Sequence, residues 1–226
     1  MLTLMNKKNR GEDVEATKVY DLFKKKEGSE HIATPLSISM VQKLARKSER
    51  ILEIGGGIGT LTYAMLSCSD AKLDVYEDNN FCIQKLQENL REFSERYTLL
   101  TSYEMQPPRT EYDLVIIDGA NGKKHDGGRK DVVFDFFSSI CSKIIYFEGV
   151  RRPQRRYVRE ALRGICAIRI KRMSFEGIHK GGTVYYCFNA FPLVREILYW
   201  WNTIRENPKI ENYFGRIKPP SLKSEK

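Results

Sequence analysis

Apolar runs of strand length alternate with helix-period segments through the middle of the chain, the pattern of an α/β domain with a mainly parallel sheet. Arg50–Ile54 reads as the first strand and ends in glycines, followed by a helix over residues 60–67 and a second strand at Lys72–Tyr76. Between 80 and 94, Phe81, Ile83, Leu86, Leu90 and Phe93 recur close to one helical face, and a weaker third strand follows at 97–101. Residues 113–117 form a short apolar run ending at Asp118, as expected of a strand buried on both faces. Val132, Val133, Phe136, Phe137 and Ile140 mark another helix, and 143–147 a fifth strand.

Pro153 suits the first position of a helix that Gly164 would close. Strands over 165–171 and 183–189 have no helix-length segment between them, so they are expected to pair antiparallel. Pro192–Arg205 reads as a last, aromatic-rich helix, whose apolar residues are expected to cover the core edge or to form a homodimer contact. Two helices, over 12–26 and 35–47, precede the sheet, and 218–226 reads as a frayed tail. The expected organisation is an N-terminal helical extension (1–48) contributing to an acceptor site, a main domain (49–190), and the aromatic helix with its basic tail (191–226).

The 226 residues, 41% of them hydrophobic, are enough for one domain with a proper core. No apolar run approaches the roughly 20 residues that span a bilayer, and the N-terminus turns polar and basic too early for a secretory signal. Five scattered cysteines without a C-x-x-C pair argue against a disulfide framework or a zinc site, so a reducing cytoplasm is the expected setting. The net charge of +9 is concentrated: between positions 143 and 172 ten basic residues face only Glu148 and Glu160. Such a stretch either attracts a phosphate-rich partner, RNA included, or is a solvated helix face. From Arg155 onward the solvated face is expected, with Tyr157, Ala161 and Leu162 packing inward.

After the first strand stand Glu53-Ile54-Gly55-Gly56-Gly57-Ile58-Gly59-Thr60. A dinucleotide loop requires G-x-G-x-x-G, but the sixth position is Thr60 counted from Gly55 and Thr62 counted from Gly57. The spacing present is G-x-G-x-G, preceded by Glu53. Glu77 closes the second strand 22 residues after Gly55, and Asp118 closes the fourth. Together with the antiparallel terminal pair, these features resemble the class I S-adenosylmethionine-dependent methyltransferases. The resemblance implies a Rossmann-like doubly wound sheet of seven strands with the last antiparallel. It also implies S-adenosyl-L-methionine as cofactor, bound among Glu53, Gly55, Gly57, Gly59, Thr60, Glu77, Asp78, Asp118 and, on the adenine side, Ser102 or Tyr103.

Thr34-Pro35 upstream and Tyr112-Asp113-Leu114-Val115-Ile116-Ile117-Asp118-Gly119 look most like small-molecule O-methyltransferases. Metal-dependent members carry an Asp-Asn pair after the fifth strand where this chain has Glu148-Gly149. Asp118 and Glu148 therefore make a candidate but undedicated shell for a divalent metal. Asp118, Glu148 and His125 are the candidate proton acceptors for a hydroxyl, and Arg151 and Arg152 the candidate clamp for a small anionic substrate. An RNA methyltransferase using the basic stretch, or an inert module that holds the cofactor without turnover, are the alternatives. The proline and aromatic that adenine N-methyltransferases carry after the fourth strand are absent from Asp118-Gly119-Ala120-Asn121.

Overall fold

A computed structural model describes residues 14–102, 111–119, 141–172 and 182–207. Within these, β1 (Arg50–Ile54), β2 (Lys72–Tyr76), β3 (Tyr97–Leu100), β4 (Glu111–Ile117), β5 (Cys141–Phe147), β6 (Ala167–Arg172) and β7 (Thr183–Phe188) form one sheet in the order β3-β2-β1-β4-β5-β7-β6. The first five strands are parallel, and β7 runs antiparallel to both β5 and β6. This is the doubly wound, seven-stranded arrangement that the resemblance implied. Strand order reverses between β1 and β4, which opens a crevice outside their carboxyl ends.

The continuous apolar runs of the central strands are explained by cover on both faces. Ile51 of β1 and Leu114 and Ile116 of β4 pack with helical residues 14–23 (α1), α2 (Pro35–Ala45), α3 (Thr60–Leu66) and α4 (Asn80–Asn89). Leu52, Ile54, Val115 and Ile117 point the other way, onto Val158 and Leu162 of α5 (Arg152–Ala161) and its following turn. Ala16, Phe23, Ile38 and Val41 belong to the first of these cores, so α1 and α2 share their apolar interior with the sheet. Thr34 caps α2 by accepting from the Ser37 amide, with Pro35 in the first turn, and Asn79 caps α4 from the Cys82 amide.

Several boundaries differ from the sequence expectation. The helix begun at Asn80 stops at Asn89, and a 3-10 turn covers Arg91–Phe93. The Asn89 amide donates to the Ile58 carbonyl (2.9 Å) and Leu90 is buried beneath Gly59, which pins this helix end to the glycine loop. Strands β4 and β5 each begin two residues earlier than their apolar runs, because ladder pairing continues through Glu111 and Cys141. The helix expected around 132–140 lies outside the described residues, as do the tail at 218–226 and the first residues of the helix expected from position 12.

The larger departure concerns α5. Arg155 and Arg159, expected in solvent, are 2% and 4% exposed and lie inward with Val158, while Tyr157 stays half-buried. The cause is Glu206, far along the chain and itself buried. Its carboxylate lies 3.3 Å from Arg155 Nη1, pairs with Arg159, and accepts from the Tyr185 hydroxyl (2.6 Å). Thr183 also accepts from Arg155 (2.9 Å). Arg156, between the two arginines on the helix, keeps the expected setting, exposed beside Glu160. The basic stretch is therefore not one surface: Lys143 pairs with Asp113 on β4, Arg163 pairs with Glu196, and two of its arginines are interior.

The aromatic helix α6 (Pro192–Arg205), expected either to cover the core edge or to form a homodimer contact, turns most of its large apolar residues away from the core. It lies against the edge strand β6 through polar groups, Asn202 donating to the Ile168 carbonyl (2.7 Å), while Phe191, Leu193, Ile197, Trp200 and Trp201 are exposed. Among the described residues no helix is long and apolar enough to cross a membrane.

Removing the carboxylate of Glu206 leaves two guanidinium groups buried without their counter-charge. Glu206→Ala is expected to lower stability by about 3–5 kcal/mol. Arg156→Ala, at the surface of the same helix, should stay within about 0.5 kcal/mol. Urea denaturation of both variants measures the contrast.

Candidate active site

The site is built where β1, β2, β4 and β5 end. Gly55 (φ 89°) and Gly119 follow β1 and β4, and a Cβ on Gly55 would lie 2.2 Å from the Gly119 Cα. The amides of Asp118 and Gly119 both donate to the Ile54 carbonyl (2.9 and 2.8 Å), while those of Gly55 and Gly56 donate to the Tyr76 carbonyl. The strand ends are thereby drawn together, and only glycine fits at the contact. Gly57 (φ 52°) differs, since a Cβ there would meet nothing within 4 Å. The middle of the loop faces open space.

Acidic side chains surround that space. Glu77, after β2, accepts from the Gly57 amide (2.7 Å) on one oxygen and from the Asp78 and Asn79 amides (3.1 and 3.0 Å) on the other. It is thus held against the glycine loop. Asp78 itself is exposed and receives a weak contact from the Tyr76 hydroxyl (3.5 Å). Glu53, 1% exposed, accepts from the Thr62 hydroxyl (2.6 Å), and its other oxygen is buried with no hydrogen-bond partner among the described residues. Burial pushes the Glu53 carboxyl well above its usual range, and repulsion from Asp118 and Glu77 adds to this against the Thr62 bond. Thr60 opens α3, buried, with its hydroxyl likewise unpartnered among the described residues.

Asp118 follows β4 with its side chain 24% exposed. Desolvation, reinforced by Glu148 and by Glu77, raises its carboxyl to about 7 in spite of Arg151. Arg151 is the described non-glycine residue with positive φ (27°), a strained conformation immediately before α5. Its guanidinium does not point outward. It reaches the Asp118 carboxylate (3.1 Å), the Asp118 carbonyl and the Gly119 carbonyl (3.0 Å), and the buried Gln154 donates to that same Gly119 carbonyl (3.0 Å). Arg152 begins the helix, half-buried.

Glu148 accepts from the Tyr146 hydroxyl (2.7 Å), and the Tyr146 phenol is also hydrogen-bonded by Ser37 in the first turn of α2. A polar chain therefore runs from the N-terminal helices to the end of β5. Burial, with Glu148 beside it, drives the Tyr146 phenol far above its usual range. The Tyr146 ring also closes against Gly182, where a Cβ would lie 2.5 Å from it.

The sequence-derived positions Glu53, Gly55, Gly57, Gly59, Thr60, Glu77, Asp118, Glu148 and Arg151 thus all belong to the loops and strand ends at one edge of the sheet. Ser102 follows β3 at that edge, while Tyr103 and His125 lie outside the described residues. Sequence reasoning missed Gln154, Tyr146 and Ser37, which act through contacts that spacing does not encode. Gly119, adjacent to Asp118, was the one with a signal. Asp118 and Glu148 do not suit a resident divalent cation. A guanidinium already engages the first and a phenol the second, and among the described residues no group of three metal-ligating side chains forms.

No family model matches the chain, and no curated protein matches its sequence. Solved structures do resemble it. The O-methyltransferase TomG from Streptomyces achromogenes, in complex with S-adenosylmethionine and involved in tomaymycin synthesis, superposes with a TM-score of 0.58 at 14% identity, over 77% of this chain and 90% of that one. An O-methyltransferase from Bacillus cereus in complex with S-adenosylhomocysteine gives 0.56 at 13%, over 77% and 91%. A precorrin-6y C5,15-methyltransferase from Geobacter metallireducens gives 0.54 at 14%, over 71% and 92%. The fold of this chain is accordingly that of the class I methyltransferases.

Gly55→Ala must both adopt a left-handed conformation and push two strand ends apart, so a loss of about 3 kcal/mol or more is expected. Gly57→Ala meets only the backbone term, about 1–2 kcal/mol. Denaturation midpoints of the two variants test the difference.

Proposed function

We propose that the chain is an S-adenosyl-L-methionine-dependent methyltransferase acting on an oxygen of a small, anionic acceptor. The observation that carries the proposal is electrostatic. Glu53, Glu77 and Asp118 crowd one glycine loop: Asp118 and Glu77 add to the raised proton affinity of Glu53, Glu148 and Glu77 to that of Asp118, and among the described residues Arg151 is the cation opposing the Asp118 shift. Such a pocket repels a pyrophosphate and favours a cation. S-adenosylmethionine carries two, a sulfonium and an ammonium, and when bound supplies a methyl group with its leaving group already attached. Glu77, fixed by the Gly57 amide, faces the space a ribose would need, and the unpartnered oxygen of Glu53 is available to the ammonium side.

For the chemical step the protein's task is alignment and acceptance of a proton. Asp118, with a carboxyl that titrates near neutrality, is the proposed base, and Arg151 holds it at the loop mouth. Glu148 sustains the raised proton affinity of Asp118 and closes the pocket with Tyr146. Arg152 is the proposed contact for the acceptor's negative charge. Because a guanidinium occupies the Asp118 carboxylate, the reaction is proposed to run without a divalent metal. The RNA reading loses its main support with the burial of Arg155 and Arg159. An inert cofactor-holding module would bind the cofactor and transfer nothing.

Calorimetry should detect S-adenosylmethionine and not NAD, and the absence of S-adenosylmethionine binding would sink the proposal. A cation near Asp118 favours its ionised form, so binding below pH 7 releases a proton. Affinity should therefore rise about tenfold from pH 6 to pH 8 and level off, a dependence lost in Asp118→Asn. Methyl transfer to small hydroxylated acids, followed with labelled cofactor, should survive excess chelator. Loss of turnover on chelation would overturn the metal-free step.

A further inference from the structure

Helix α6 is amphipathic in the wrong direction for a monomer. Its inward side is held by polar groups beside the half-buried Leu198 and Tyr199: Asn202 donates to the Ile168 carbonyl of β6, Arg195 donates to the Ile165 carbonyl (3.0 Å), and Glu206, one residue past the helix, holds Arg155 and Arg159. Its outward side is apolar, with Leu193 72%, Ile197 58%, Trp200 53% and Ile204 51% exposed. These four positions follow one another at intervals of four, three and four, the seam by which one helix packs along another. Trp201 and, just before the helix, Phe191 widen the stripe at 56% and 82% exposure.

From these exposures the six side chains leave on the order of 800 Å² in water, more than the ~300–600 Å² patch usual for a monomer and close to the ~800 Å² per partner of a stable interface. No seam position carries a charge. Glu196, beside it, is neutralised by Arg163, whose guanidinium also stacks on the Trp200 ring 5.4 Å away. Two copies could therefore meet here without repulsion despite the chain's net charge of +9. The seam also lies beside β6, the sheet's outer strand, away from the glycine loop.

We infer that α6 is a homodimerisation helix, its Leu193, Ile197, Trp200 and Ile204 seam packing on the same seam of a second copy across a two-fold axis. The contact is isologous and closed, so it makes dimers and not filaments. It is independent of the methyl-transfer reading.

Light scattering on the full chain, from sub-micromolar to high micromolar concentration, should give twice the 26.3 kDa chain mass. Trp200→Glu should give a monomer with unchanged circular dichroism and unchanged S-adenosylmethionine affinity. If that variant fails to fold, the milder double change Leu193→Ala with Ile204→Ala should still weaken association at least tenfold. A wild-type chain that is monomeric throughout overturns the inference, whether or not it binds anionic lipid vesicles through α6. So does a dimer that survives both seam variants.

Discussion

At the crossing of Gly55 and Gly119 two strand ends touch backbone to backbone with no room for a side chain, and the geometry of the site descends from that contact. Because β1 and β4 are pressed together there, the chain leaving β1 turns through the glycine loop into α3, and Asp118 is brought to the mouth of the loop. The approach is maintained by amides sharing one carbonyl acceptor, a backbone arrangement that any larger residue at either position would pry apart. Neither glycine is an ordinary turn former, since each is required by the other.

Buried charge is handled in two ways on the two sides of the sheet. Around α5 the buried arginines draw their counter-charge from the protein itself, through Glu206. At the carboxyl edge the described residues leave the balance negative, with Arg151 set against several acidic groups. A folded protein tolerates such an imbalance at some cost in stability, and the proposed function explains the cost as affinity for a cationic ligand. The strained backbone of Arg151 belongs to the same account, because it is what turns the guanidinium back toward Asp118.

Most of the sheet was legible from the chain because a parallel strand covered on both faces leaves an unbroken apolar run, as at Leu114 to Ile117. The glycine loop and the acids after β2 and β4 were legible for a similar reason: their chemistry is local in sequence. What escaped depends on distant partners. Nothing near Arg155 and Arg159 announces Glu206, which lies about fifty residues on, so a basic helix was expected in water and is found in the interior. A similar reason holds for α6, whose apolar stripe was left between the core edge and a homodimer contact because the polar anchors on its other side could not be recognised as such. Tyr146 and Ser37 were missed because a phenol in a buried strand reads as packing until its neighbour is known.

Helix α5 is fastened at both ends to different parts of the molecule. At its start Arg151 grips the loop after β4; one and two turns later Arg155 and Arg159 grip the residue that follows α6. A short helix pinned this way transmits displacement more readily than it absorbs it. Local opening at the edge of the sheet and fraying of the C-terminal helix are then parts of a single cooperative event, and amide exchange in the two regions would occur with one free energy.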